Sequence, residues 1–199
     1  MTVLLSVDLA AKFSAVVLRG AGGGVTAQFD SRDKRPLQFL REIADMALVY
    51  EVDMIVVEDV PYGISNQSMI KPVLRLQGAL CAYLTAMRCL DRTWFVSPSL
   101  WMKDFSGVQL VPKGYTKAAA DTYRIEQARM YPERGGYSPP DLVSEYEKNC
   151  QGLGKKILKK DTNPLAKSMT DYVSAWLMSE WALGHDFTIP NKLAQEAKL

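Results

Sequence analysis

Two stretches of this chain, about fifty residues apart, share one pattern: a nearly unbroken apolar run that ends on a carboxylate. Val3-Leu4-Leu5-Ser6-Val7 leads to Asp8, and Met54-Ile55-Val56-Val57 leads to Glu58. A run of this kind, rich in β-branched residues and lacking period-two alternation, describes a strand covered on both faces. Such strands belong to sheets with helices packed above and below. An acid at the tip of each run is then delivered to the edge of the sheet.

The residues between and after these runs supply the remaining elements. Phe13 to Arg19 is a second strand pattern, and Ala21-Gly22-Gly23-Gly24 is a turn leading to a third, Val25 to Phe29. These predict three antiparallel strands at the start. Pro36 opens a helical pattern through Tyr50, with Leu37, Leu40, Ile43, Ala44 and Ala47 on one face. A second helix is expected from about Met69 to Leu90, marked by Leu76, Leu80, Tyr83, Leu84 and Met87. A further strand, Thr93 to Val96, is stopped by Ser97-Pro98. Strand, helix, strand with short links is the right-handed crossover unit. Thr116 can cap a helix running to about Tyr131, and Ser168 or Thr170 can cap a final helix ending near Leu183 and Gly184.

From Pro132 to Lys167 the pattern breaks. Gly135-Gly136, Pro139-Pro140 and the run Lys155-Lys156-Ile157-Leu158-Lys159-Lys160 are too polar and interrupted for core. We read residues 132–166 as a lysine-rich insertion with one or two short helices. With 199 residues and 48% hydrophobic content, the whole chain, 1–199, is expected to form a single domain around one core.

Composition narrows the function classes. Charges interrupt every apolar stretch before membrane-spanning length, and the opening residues run directly into a strand pattern. The expectation is a soluble intracellular protein with no membrane partner. Cys81, Cys89 and Cys150 show no Cys-x-x-Cys spacing, so neither a zinc site nor a disulfide framework is indicated. The net charge of +2 points to no partner by itself; Lys155 to Lys160, with Lys148 and Lys167 nearby, is the one concentrated basic patch. His185, the single histidine, lies beyond the last helix and is not expected to act in a site.

Asp8, Glu58 and Asp171, the last in the first turn of the expected final helix, are three acids from distant parts of the chain. If they converge, they make a hard, oxygen-rich site suited to Mg²⁺ or Mn²⁺. Their order, with the intervening elements, resembles the RuvC-type Holliday-junction resolvases of the RNase H-like superfamily, in the manner of a divergent phage or organellar member. Leu5-Ser6-Val7-Asp8 is similar to the family's opening strand and Ile55-Val56-Val57-Glu58-Asp59-Val60 to its second acidic strand. Leu74-Arg75-Leu76-Gln77-Gly78-Ala79-Leu80 resembles its Gly-containing helix. Ser97-Pro98, Trp101-Met102-Lys103, Gly107 and Lys117 follow in the family's order, and Lys167 to Ala175 is similar to its closing helix. The resemblance covers roughly residues 3–131 and 166–183.

The resemblance implies a mixed five-stranded α/β sheet with helices on both faces. It further implies a metal-dependent endonuclease that resolves four-way junctions or related branched DNA by paired nicking, as a homodimer with the long second helix as its dimer element. Asp8, Glu58 and Asp171 would be catalytic and would hold two Mg²⁺ or Mn²⁺ ions per site. Ser168 stands where the family carries a further Asp or His ligand, and Asp59 or Asp161 could substitute. Lys103, Lys113 and Lys117 would contact phosphate, and Lys155, Lys156, Lys159 and Lys160 would lie along a second DNA arm. Tyr62, in a Pro-Tyr-Gly turn, would stack on an opened base. Two rival readings share the fold: a branched-DNA-binding relative that does not cleave, and a nuclease acting on flaps, forks or RNA-containing hybrids. An ATP-binding protein is disfavoured, because neither Leu9-Ala10-Ala11 nor Asp59-Val60-Pro61 supplies a Gly-rich phosphate turn.

Overall fold

Each apolar run of the first hundred residues forms the strand that its pattern predicts. In a computed structural model these are β1 (Leu4–Asp8), β2 (Ala15–Arg19), β3 (Val25–Asp30), β4 (Met54–Glu58) and β5 (Thr93–Val96). The structure describes residues 2–10, 13–60, 67–101, 116, 119 and 140–184; within these, the side chains of 67–69, 99, 159–163, 166 and 167 are not described. The five strands form one sheet in the order β3-β2-β1-β4-β5. β1 pairs antiparallel with β2, and β2 with β3, while β4 is parallel to both β1 and β5. This order and these directions are those of the RNase H-like mixed sheet.

Among the described residues the α-helices are α1 (Pro36–Val49), α2 (Gln67–Ala86), a single turn α3 (Pro98–Trp101), α4 (Leu142–Gly152) and α5 (Lys159–Leu183). α1 begins at its proline, as expected, and buries Phe39, Leu40, Ile43, Ala44 and Ala47. Thr116 accepts a 3.3 Å hydrogen bond from the Ala119 amide, the geometry of a helix cap.

Two helix boundaries differ from expectation. α2 ends at Ala86 rather than near Leu90, because Arg88 takes a left-handed conformation with φ 55°. Its amide bonds to the Thr85 carbonyl, and the Cys89 amide reaches back to Leu84 at 2.7 Å. This is a Schellman stop with arginine where glycine is usual, so no glycine marks it in the sequence. The final helix begins at Lys159, not at Ser168 or Thr170, which lie inside it. Pro164 sits within that helix; a proline removes one hydrogen bond from the ladder without necessarily ending it. The basic run that we read as insertion thus supplies the start of α5.

Strand alternation assigns the two faces. Leu5, Val7, Val16, Leu18, Ile55 and Val57 pack with α1 and with Leu80 and Leu84 of α2 in one core. The opposite face carries Leu4, Ser6 and Asp8, with Ala15, Val17 and Arg19 across the β2 ladder and Val56 on β4. Here the C-terminal half of α5 is seated. The Ser6 hydroxyl donates to the Ala175 carbonyl at 2.6 Å, and Arg19 donates to Ser179 Oγ at 3.4 Å and pairs with Glu180. Helices on both faces of the sheet are therefore confirmed.

The chain divides into two compact units, residues 1–104 with 175–199, and residues 105–174. In the second unit α4 is capped by Asp141, which accepts from the Ser144 amide at 3.0 Å and its hydroxyl at 2.7 Å. Among the described residues of this unit, Leu142, Val143, Cys150, Met169, Tyr172 and Val173 are the buried apolar ones. Among the described residues no helix is long and apolar enough to cross a membrane.

Candidate active site

The carboxyl ends of β1 and β4 are the point where the chain parts. After β1 it turns to β2 on one side; after β4 it crosses to β5 on the other. In open α/β sheets, the crevice at such a switch point is where ligands bind. Val7 is in register with Val57, so the next residue of each strand, Asp8 and Glu58, ends the pair side by side. Adjacent strands lie about 4.8 Å apart. Alternation puts both acids on the face of Ser6 and Val56, away from α1 and α2. Asp8 is only 8% exposed, whereas Glu58 is half-buried.

The turns that leave these strands are fixed by polar side chains. After Asp8, the Ser14 hydroxyl accepts from the Ala10 amide and donates to the Ala10 carbonyl, both at 3.1 Å, closing the β1–β2 connection. After Glu58, the Asp59 amide donates to the Val96 carbonyl at 2.9 Å, extending the β4–β5 ladder by one bond. Gln77 of α2, itself buried, donates to the Glu58 carbonyl at 3.1 Å and to Asp59 Oδ1 at 3.3 Å. The same Oδ1 accepts the Val60 amide at 2.8 Å. Asp59 Oδ1 is thus engaged with the backbone and Gln77.

Ser14 and Gln77 are the site-shaping residues that the sequence reading missed. Gln77 was legible only as part of a helix motif; a buried amide on an otherwise apolar face is the signal that could have singled it out. Replacing Gln77 by Met, of similar volume, leaves the Glu58 carbonyl without that donor. The expected cost is about 1 to 3 kcal/mol, read as a lowered midpoint in urea unfolding with unchanged slope.

Asp171 belongs to the second unit. It is buried on α5, four residues and about one turn before Ala175. Ser168, also buried, donates its hydroxyl proton to the Pro164 carbonyl at 2.9 Å, a bond within its own helix. Among the described residues, no three His, Cys, Asp or Glu side chains are grouped closely enough to hold a metal ion. The donor chemistry of Asp8 and Glu58 nevertheless fits Mg²⁺, which is commonly held by one or two carboxylates together with substrate phosphates.

Lys155 and Lys156 are exposed between α4 and α5. Tyr62, Lys103, Lys113, Lys117 and His185 lie outside the described residues, as do the side chains of Lys159, Lys160 and Asp161.

No protein-family profile and no curated protein matches the chain. Among solved structures it is similar to RuvC of Thermus thermophilus, at 10% identity over 90% of this chain and 93% of that one, with a TM-score of 0.46. The same enzyme in complex with a Holliday-junction substrate matches at 10% identity over 68% of this chain and 97% of that one, TM-score 0.45. Fowlpox virus resolvase, in complex with its Holliday-junction DNA, matches at 15% identity over 87% and 96%, TM-score 0.39. Likeness at this level assigns no chemistry to any residue.

Proposed function

We propose that this protein is a divalent-metal-dependent endonuclease that cuts four-way junctions or related branched DNA by paired nicking. The observation that carries the reading is the placement of Asp8 and Glu58. Two carboxylates end neighbouring strands on one face at the switch point of an RNase H-like sheet, where oxygen donors from two strands could share a hard divalent cation.

Asp8, Glu58 and Asp171 would hold Mg²⁺ or Mn²⁺, two ions per site, with Ser168 as a weaker oxygen donor. Asp171 is proposed as the resemblance implies, from its place on the closing helix. The ions would supply Lewis acidity and neutralise charge at the phosphate. The chain's own contribution would be to fix the backbone that leaves the two acidic strands, through Ser14 after Asp8 and Gln77 after Glu58. The product would carry a 5′-phosphate and a 3′-hydroxyl. Lys103, Lys113 and Lys117 would position the cut strand, Lys155, Lys156, Lys159 and Lys160 would follow a second arm, and Tyr62 would stack on an opened base. A homodimer built on α2 would bring two sites to the two symmetric strands of a junction.

Ser168 favours a second reading. Its hydroxyl proton is given to its own helix, and it stands where the resemblance implies a stronger ligand. A relative that binds branched DNA and does not cut it would look the same. An end-labelled four-way junction, a flap and a linear duplex, each incubated with the protein and Mg²⁺, Mn²⁺ or EDTA, separate the two. Paired symmetric nicks confined to the metal-containing junction samples are expected. Tight binding without nicks in any metal would establish the binding relative.

A further inference from the structure

Eight consecutive residues, Gln151 to Leu158, are exposed at the junction of α4 and α5. Three of them are large aliphatics: Leu153 is 67% exposed, Ile157 36% and Leu158 37%. They alternate with lysines, and the run Leu153 to Lys160 contains no acid. Exposed aliphatics are unremarkable singly; a cluster of them rimmed by like charges marks a contact surface.

The first half of this loop is built rather than slack. The Gly154 amide donates to the Gln151 carbonyl at 3.1 Å and the Lys155 amide to Cys150 at 2.8 Å, with Gly154 at φ 63°. These two bonds are a Schellman motif, in which the residue after the glycine is commonly apolar and folds back onto the last helical turn. Here that residue is Lys155, and the leucine sits at the cap position facing water. The ordered turn therefore holds an aliphatic side chain outward, and little ordering entropy remains to be lost when it binds.

We propose that this loop is a wedge for the branch point of DNA. Lys155 and Lys156 would neutralise phosphates on either side, while Leu153, Ile157 and Leu158 would cover base faces left unstacked at the branch. Aliphatic side chains pushed between base steps are a recurring means of holding DNA in a bent or opened form. A continuous duplex offers charge and no exposed base face, so the aliphatics add affinity only where stacking is already broken. An anionic bilayer offers charge and an apolar interior, but three short side chains are far less apolar surface than a membrane-lying helix buries. The inference rests on the branched-DNA reading and adds the element that discriminates branch from duplex.

The test uses the full chain in EDTA and a four-way junction carrying 2-aminopurine beside the branch. Wild type is expected to raise the fluorescence, since the base analogue brightens on unstacking. Leu153→Ser/Ile157→Ser/Leu158→Ser should abolish that rise and bind the junction about tenfold more weakly, with its duplex affinity and salt dependence unchanged. Lys155→Ser/Lys156→Ser should keep the fluorescence at saturation and flatten the slope of log affinity against log salt by about 2. A triple variant that unstacks the branch as wild type does would overturn the wedge while leaving the nuclease reading intact. So would loop-dependent binding to phosphatidylserine vesicles with junction binding unaltered. Wild type that neither binds nor cuts any branched DNA would sink both.

Discussion

Asp8→Asn should abolish metal-dependent cleavage while leaving the fold and the affinity for branched DNA in place. The loss is expected to reach about a thousandfold, the upper range seen when one preorganised charge-stabilising group is removed from a site. Asparagine is isosteric with aspartate, so the β1 ladder and its register with β2 and β4 need not change. What changes is the charge beside Glu58. A hard divalent ion prefers carboxylate oxygen to a neutral amide, and the variant should therefore lose the ion rather than the structure.

Thermal unfolding separates this from a merely structural Asp8. In EDTA the midpoint of Asp8→Asn should stay close to that of wild type, because the replacement is isosteric and the strand pairing is kept. Saturating Mn²⁺ should stabilise wild type, by about 2.7 kcal/mol when the ion stands at a hundred times its dissociation constant, and should leave Asp8→Asn unmoved. A variant that melts several degrees lower in EDTA would show that Asp8 is held for the fold. Wild type whose midpoint ignores Mg²⁺ and Mn²⁺ alike would remove the metal from the proposal altogether.

That experiment bears on residues which the sequence exposed plainly, and the reason is physical. A strand buried on both faces tolerates almost no polar residue, so the acids that end Val3 to Asp8 and Met54 to Glu58 stand out against the runs before them. The same contrast fails wherever a polar group is buried among polar neighbours or is satisfied at long range. Ser6 interrupts the first run without announcing that its partner is the Ala175 carbonyl, 169 residues away. Gln77 occupies one polar position on a long helix, and only the β4 exit above it reveals the two bonds it makes. The boundaries missed were those without their usual markers: Arg88 performs a glycine's task at the end of α2, and Pro164 lies inside a helix it was expected to precede.

Arg19 is the clearest case of a residue whose weight only the fold discloses, and replacing it should produce the largest loss of stability. In sequence it only closes an apolar strand pattern, with no partner indicated. In the structure its side chain is 9% exposed, pairs with Glu180, reaches Ser179, and donates to the Gly23 carbonyl at 2.8 Å through Nε. Its guanidinium also lies 6.0 Å from the centre of the Trp176 ring. One cation thus ties the β2–β3 turn to the C-terminal part of α5. Arg19→Met retains most of the apolar stem but strands the Gly23 carbonyl and Glu180. Breaking a fully buried pair in this way costs about 3 to 5 kcal/mol; Glu180 is 33% exposed and can recover some hydration, so about 2 to 3 kcal/mol is the better expectation. In a chain of this size that is a fall of roughly 5 to 10 °C in the thermal midpoint. Glu180→Gln, which keeps an acceptor for Arg19, should cost less than half as much. Equal losses for the two would mean that the ion pair, rather than the clamp on the turn, holds α5 to the sheet.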